Sequence, residues 1–410
     1  MRPATWGEKP LSQVAHIQTG IAKGAKTLKD PVELPYLRVA NVQDGYLDLS
    51  TIKTIKLEKT KVGRYLLQIG DVLLTEGGDF DKLGRGTVWN GEIKNCVHQN
   101  HVFVARPNPD FILPEFLSLL SGSSYGKAYF LSCSKQSTNL ASINSTQLKE
   151  FPVILPPLPE QAAIVDLLST WDTAIEKIGG LVAAKEKRFD WLSGKLLFGT
   201  PSRQVDDSKR TRWFAVPAHW KIVKIGSVAK EVKVNNDEDE NIPVLSCTKH
   251  NGLVDSLSYF GKQVFSLDTS KYKVVRRGEF AYATNHIEEG SIGYQDLHDK
   301  GLVSPMYTVF KTSNSIDDGY LYSVLKTETF RHMFQVHTSA SVDRRGSLRW
   351  KEFSKLPIPM PPIEEQRRIA ARLNLVRQEI DLLKRRAEAY RRQKRGLIQK
   401  LLTGTWRAKV

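Results

Sequence analysis

The sequence predicts an α+β fold in which two similar mixed α/β domains are joined by two long helices that pair with each other; paired antiparallel, as a coiled coil, they would give the chain pseudo-two-fold symmetry. Three observations predict it. A stretch of fifty residues occurs twice: 151–200 and 356–405 align without a gap at an offset of 205, and a match of that length marks two copies of one structural unit. Both copies carry a sustained heptad of apolar positions. The segments in front of them, 1–150 and 201–355, repeat one order of strand and turn signals while their loop residues diverge.

The first segment opens with Trp6, Pro10-Leu11 and an apolar 14–17 pattern, an entry strand or short helix. Strands are expected at 35–42, closed by the turn Asp44-Gly45, and at 72–75, fed by the turn Ile69-Gly70-Asp71. Short elements are expected at 51–57 and 64–67. The glycine- and charge-rich 76–85 reads as a loop, strands resume at 86–89 and 98–104, and Pro114 starts a helix reaching Leu120.

The repeated stretch then begins Pro156-Pro157-Leu158-Pro159-Glu160-Gln161, where prolines hold the chain extended and end any upstream element. Beyond it only Gly179-Gly180 and Gly194 weaken a helix, and a bend is expected at Gly179-Gly180. Apolar positions alternate at four and three: Ile164, Leu168, Trp171, Ile175, Ile178, Val182, Lys185, Phe189, Leu192 and Leu196. A seam of roughly 35 residues spans about 50 Å.

The second segment follows the plan loosely. An entry pattern at 220–225 and a strand at 242–247 precede the turn Asn251-Gly252. Residues 278–282 match 70–74, 305–310 match the strand around 101–105, and 318–325 match the helix after Pro114. The second copy starts Pro361-Pro362-Ile363-Glu364-Glu365-Gln366. Its seam is Ile369, Leu373, Val376, Ile380, Leu383, Ala387, Tyr390, Lys394, Leu397 and Leu401. Lys185 and Lys394 are the charged exceptions. Each is expected to lay its methylenes along apolar surface and to help fix register. The chain therefore divides as 1–150, 151–200, 201–355 and 356–410.

Of 410 residues, 40% are hydrophobic and 25% charged, the balance of a globular protein. No signal peptide, transit segment or membrane-length apolar run is found, and three scattered cysteines (Cys96, Cys133, Cys247) make no disulfide framework, which suits a reducing cytoplasm. The net charge is +16, of which 356–410 alone carries +9. That favours a polyanionic partner. Catalytic constellations are not found. Cys96, His98 and His101 lie close, but strand alternation sets the two histidines on opposite faces and no fourth ligand is in place, so no metal is expected. Pro109-Asp110 lacks a nuclease's companion acid and lysine pattern, and neither a phosphate-binding loop, an Asn-Pro-Pro-Tyr methyl-transfer signature nor a glycine-rich cofactor loop occurs. The chain reads as a binder without catalytic or cofactor residues.

The proline–Glu-Gln starts and the endings Lys195-Leu196-Leu197-Phe198-Gly199 and Lys400-Leu401-Leu402-Thr403-Gly404 resemble the two conserved regions of the specificity subunits of type I restriction-modification systems, and the resemblance covers essentially the whole chain. It implies two target recognition domains, each reading half of a bipartite, asymmetric sequence in double-stranded DNA. It also implies docking of methyltransferase and motor-nuclease (restriction) subunits, which would use S-adenosylmethionine, ATP and magnesium. The setting implied is the prokaryotic cytoplasm.

On that reading, base contacts need donors and acceptors on loops or helix ends. In the first domain these are Lys82 and Arg85 of 76–85, and Lys135, Gln136 and Asn139 of 132–139. In the second they are Asn285 and His286 of 283–293, and Arg344, Arg345 and Arg349 of 337–349. The alternative is a coiled-coil scaffold without sequence-specific DNA binding. Paired, polar, divergent loop-bearing domains argue against it.

Overall fold

The structure, a computed structural model, describes residues 3, 5–22, 28–78, 80, 83–136, 141–199, 207–236, 242–339 and 347–408. They form two compact units, one of residues 1–179 with 385–410 and one of residues 180–384.

In the first unit β1 (Gly7–Pro10) leads through a single helical turn into β2 (Ala15–Gln18), followed by β3 (Val72–Thr75), β4 (Gly86–Val88), β5 (Val102–Pro107) and β6 (Pro152–Leu155). Strands β2, β5, β3 and β4 make one antiparallel sheet in that order. Strand β1 pairs with β6, Gly7 opposite Leu155 and Pro10 opposite Pro152, so the domain's first strand is closed by its last. Helix α1 (Leu158–Phe198) follows. It continues through Gly179-Gly180, whose missing Cβ atoms would meet only open space.

The second unit repeats the plan with β7 (Lys221–Lys224), β8 (Ala229–Val232), β9 (Phe280–Ala283), β10 (Ile292–Tyr294), β11 (Tyr307–Thr312) and β12 (Pro357–Met360), followed by α2 (Ile363–Leu402). Its four-stranded sheet has the corresponding order β8-β11-β9-β10, and β7 pairs with β12. The helix expected at 318–325 is there with those bounds, its first turn capped by Asp317.

Some elements differ from the sequence reading. The strand expected at 35–42 ends at Leu37, because a 3-10 turn at Val39–Asn41 takes over. Of the short element expected at 64–67, Arg64 and Tyr65 end a helical turn, Val62–Tyr65, and Leu66 forms an isolated bridge to Val97. The strand expected at 98–104 is two strands, Val97–His98 and Val102–Pro107, broken by a turn. His98 is buried, with Nδ1 2.6 Å from the Val102 carbonyl, and His101 is exposed.

The helices pair antiparallel within each unit. In the first, Ile164 and Leu168 share a core with Leu401 and Leu402, and Trp171 meets Tyr390 edge to face at 5.4 Å. In the second, Leu197 shares a core with Ile369 and Leu373, flanked by Phe189, Leu192 and Leu196. All twenty heptad positions named above are buried or partly buried. The two seam lysines cross to carboxylates on the other helix: Lys185 to Glu379 at 2.7 Å, and Lys394 to Asp172. Half-exposed pairs of this kind contribute about 0–1 kcal/mol, so their weight falls on register.

The proline–Glu-Gln motif joins helix to domain. Gln161, fully buried, accepts from the Leu113 amide at 3.0 Å and donates to the Phe111 and Pro156 carbonyls at 2.9 Å. Gln366 accepts from the Asp317 amide at 2.8 Å and donates to the Pro361 carbonyl at 2.9 Å. Leu113 and Asp317 are the residues that open the domain helices, so each glutamine ties a long helix to the start of a short one. Each glutamate accepts from a tryptophan of the entry pattern: Trp6 to Glu160 at 2.9 Å and Trp220 to Glu365 at 3.2 Å.

The helix ends use glycine for a steric reason. Gly404 (φ +74°) and Gly199 (φ +69°) abut Pro3 and Pro217, and a Cβ at either would lie 2.4 Å from a proline carbon.

Glu160 also pairs with Arg407, whose Nη2 is 2.8 Å away. Burial pushes the Glu160 carboxyl up, but the bonds from Arg407 and Trp6 outweigh it and hold it below its ordinary value. A carboxylate depressed on folding contributes stability above its ordinary range and loses it as pH falls through the folded value. Thermal melts from pH 7 down to pH 3 should therefore show a steeper loss of stability in the parent than in Glu160→Gln; parallel curves would refute this role.

Candidate nucleic-acid interface

Two loop regions singled out in the first domain come together. Residues Gly77–Gly78 pair with Ala141–Ser142, which pair with Lys135–Gln136, giving a small three-stranded sheet. The pairing needs glycine at 77, since a Cβ there would lie 2.3 Å from the Ala141 carbonyl oxygen. The sheet borders a cleft of about 520 Å³ lined by Val39, Glu76, His101, Lys135, Gln136 and Ser142, among others.

Lys135 and Gln136 are exposed, and Gln136 donates to the Leu131 carbonyl at 3.1 Å. Arg85 is half-buried; its carbonyl accepts from the Thr75 amide at 2.9 Å, and its buried Nε has no partner among the described residues. Lys82, Asn139, Arg344 and Arg345 lie outside the described residues.

In the second domain the Leu348 amide donates to the Thr284 carbonyl at 2.8 Å, so the 283–293 and 347–349 segments are neighbours. Asn285 is partly exposed and His286 exposed. His286 Nδ1 is 3.3 Å from Glu289, and ligand atoms of His286, Glu288 and Glu289 lie within 4.8 Å of one another. Two carboxylates beside His286 oppose a phosphate contact there. Arg349 is exposed and precedes the helical turn Trp350–Phe353.

Behind these loops Lys326 is largely buried. Its Nζ donates to the Lys249 and Gly290 carbonyls at 2.7 and 2.8 Å, clamping two turns. Burial lowers its pKa to about 8. The first domain clamps the equivalent turn with Lys127 on Asp44 at 2.7 Å.

The base-contact candidates drawn from the sequence are lysines, arginines, amides and His286, and do not include Glu76, His101, Thr284 or Met306. The signal was present for Glu76 and Thr284, which follow strands already matched at an offset of 208. For His101 the match pointed to Pro305, whereas strand register places Met306 there: Thr75 is opposite Val102 and Ala283 opposite Tyr307.

Among the described residues no helix is long and apolar enough to cross a membrane, and Cys96, Cys133 and Cys247 are free thiols.

Comparison with known proteins agrees with this architecture. The model of the type I restriction modification DNA specificity domain matches twice, at residues 3–183 and 217–389. The putative type I restriction enzyme MjaX specificity subunit of Methanocaldococcus jannaschii is 24% identical, over all of this chain and 95% of its own. The type I restriction enzyme EcoKI specificity subunit of Escherichia coli is 27% identical over 40% of this chain and 36% of its own. In fold, the chain resembles the HsdS subunit from Thermoanaerobacter tengcongensis (TM-score 0.51, 18% identity, 99% and 98% coverage). It also resembles a chain solved in work on complex assembly and conformational transition of the type I R-M system (TM-score 0.61, 18% identity, 99% and 100% coverage). With both halves of the chain matched in the order domain, helix, domain, helix, the protein belongs to the type I restriction-modification specificity subunits, a family of non-catalytic adaptors.

Proposed function

We propose that this chain reads a bipartite, asymmetric double-stranded DNA target and positions methyltransferase and restriction subunits on it. Residues 1–150 and 201–355 act as the two target recognition domains. Residues 151–200 and 356–410 act as the frame. The partner subunits supply the chemistry that uses S-adenosylmethionine, ATP and magnesium, in a prokaryotic cytoplasm.

The observation that carries this reading is one sheet order built twice with divergent polar residues at corresponding loop positions. A scaffold for proteins alone has no need of two such surfaces. Arg85, Lys135 and Gln136 in the first domain, with Lys82 and Asn139, and Asn285 and Arg349 in the second, with Arg344 and Arg345, supply contacts to phosphates and base edges, and His286 to a base edge alone. Glutamine and asparagine suit adenine, and arginine suits guanine or phosphate.

The basic face of α2 adds phosphate contacts or an acidic subunit surface. Arg385→Glu with Arg386→Glu is the test, made on the full chain bound to its methyltransferase subunit. The expected result is weaker DNA binding with a salt slope reduced by about 1–2, or reduced assembly. Salt dependence and assembly both unchanged would remove the helix from the interface. A complex without sequence preference for DNA would return the scaffold reading.

A further inference from the structure

We propose that Glu76, positioned by His101, is a specificity-determining residue of the first domain that accepts a hydrogen bond from the exocyclic amino group of a cytosine or adenine, and that Thr284 with Met306 fills the same place in the second domain with different base chemistry. The inference rests on the DNA-reading function proposed above.

The backbone frame is the same in both domains. The Glu76 amide donates to the His101 carbonyl at 3.0 Å, and the Ile143 amide to the Glu76 carbonyl at 2.9 Å. The Thr284 amide donates to the Met306 carbonyl at 3.4 Å, and the Leu348 amide to the Thr284 carbonyl at 2.8 Å. On this common frame the side chains differ in kind: a carboxylate with an imidazole against a hydroxyl with a thioether.

The carboxylate is held in place. Asn100 Nδ2 donates to His101 Nε2 at 3.2 Å, which leaves Nδ1 to carry the proton toward Glu76 Oε2. Glu76 Oε1 has no hydrogen bond among the described residues, and the side chain is 31% exposed at the cleft. A fixed carboxylate repels phosphates, so on a chain of net charge +16 it weakens general DNA binding. What it gains is discrimination. It accepts from cytosine N4 or adenine N6 and is repelled by the carbonyl oxygens that thymine and guanine present in the major groove. In the second domain Met306 is 57% exposed, whereas Thr284 is buried and donates its hydroxyl proton to the Met306 carbonyl at 2.9 Å, so only Met306 can face a base. That domain therefore offers an apolar thioether, which suits a thymine methyl group.

The experiment maps methylated sites genome-wide in cells carrying the full chain with its methyltransferase subunit, comparing the parent, Glu76→Gln, and Glu76→Thr with His101→Met. The parent is expected to specify a single base pair at one position of the first domain's half-site. Glu76→Gln should relax that position at least tenfold and leave the other half-site unchanged. The double variant copies a pair that the same frame already holds in the second domain, so it carries the test if the single variant folds poorly. It should replace the base at that one position. Unchanged half-sites in the folded variants would overturn the assignment of Glu76. A parent without a two-part target would instead overturn the function it rests on.

Discussion

Exchanging residues 1–150 for the corresponding segment of another family member is expected to change one half of the methylated sequence and leave the other half intact. In the function proposed above base contacts are local, since each domain has its own sheet, its own loops and its own tie to a long helix through Gln161 or Gln366. The junction falls just before β6, which opens on Pro152. A companion variant inserts four residues beside Gly179-Gly180, about one helical turn or 6 Å. It should alter the spacer between half-sites and not the bases within them. The site suits insertion because nothing packs within 4 Å of where either glycine's Cβ would stand. Methylation mapping reads both variants. A first-domain exchange that changes both half-sites, or an insertion that changes base identity at constant spacing, would refute modular reading.

Leu373→Ala is expected to destabilise the second unit by about 2–5 kcal/mol, the cost of deleting a fully buried leucine side chain. Leu373 is 0% exposed and lies in one core with Tyr320, Leu321 and Leu197, so the cavity opens where helix pair and domain meet. Leu168→Ala should act similarly on the first unit, where Leu168 joins Leu402 and Phe151. Leu375, 71% exposed, is the control, and Leu375→Ala should stay within about 0.5 kcal/mol. Urea denaturation followed by tryptophan fluorescence separates these outcomes. Equal midpoints for Leu373→Ala and Leu375→Ala would show that the heptad seam is not the structural core assigned to it.

The long helices were legible in the sequence because their signal is periodic and repeated. Apolar residues at four and three, from Ile164 to Leu196 and from Ile369 to Leu401, specify which face is buried regardless of what covers it. The duplication supplied the second half of the architecture, and the motif Pro156-Pro157 to Gln161 marked each helix start. Strand boundaries were less legible. Whether 98–104 is one strand or two depends on a turn whose hydrogen bonds are made to distant residues, Leu37 and Ile21 among them.

The cleft was decided by tertiary structure alone. Glu76, His101 and Ser142 are far apart in the chain. They meet because β3 and β5 pair in a register that sets Thr75 opposite Val102, and because Gly77 lets Ser142 approach. The charge of the second helix could be counted from composition, and the heptad placed Lys394 in the seam, but its partner could not be read. That Lys394 turns inward to Asp172 follows from antiparallel pairing, which brings together residues 222 positions apart. Local periodicity determines which side of an element is apolar. Which polar groups converge is fixed by packing between elements, where desolvation leaves only partnered arrangements stable.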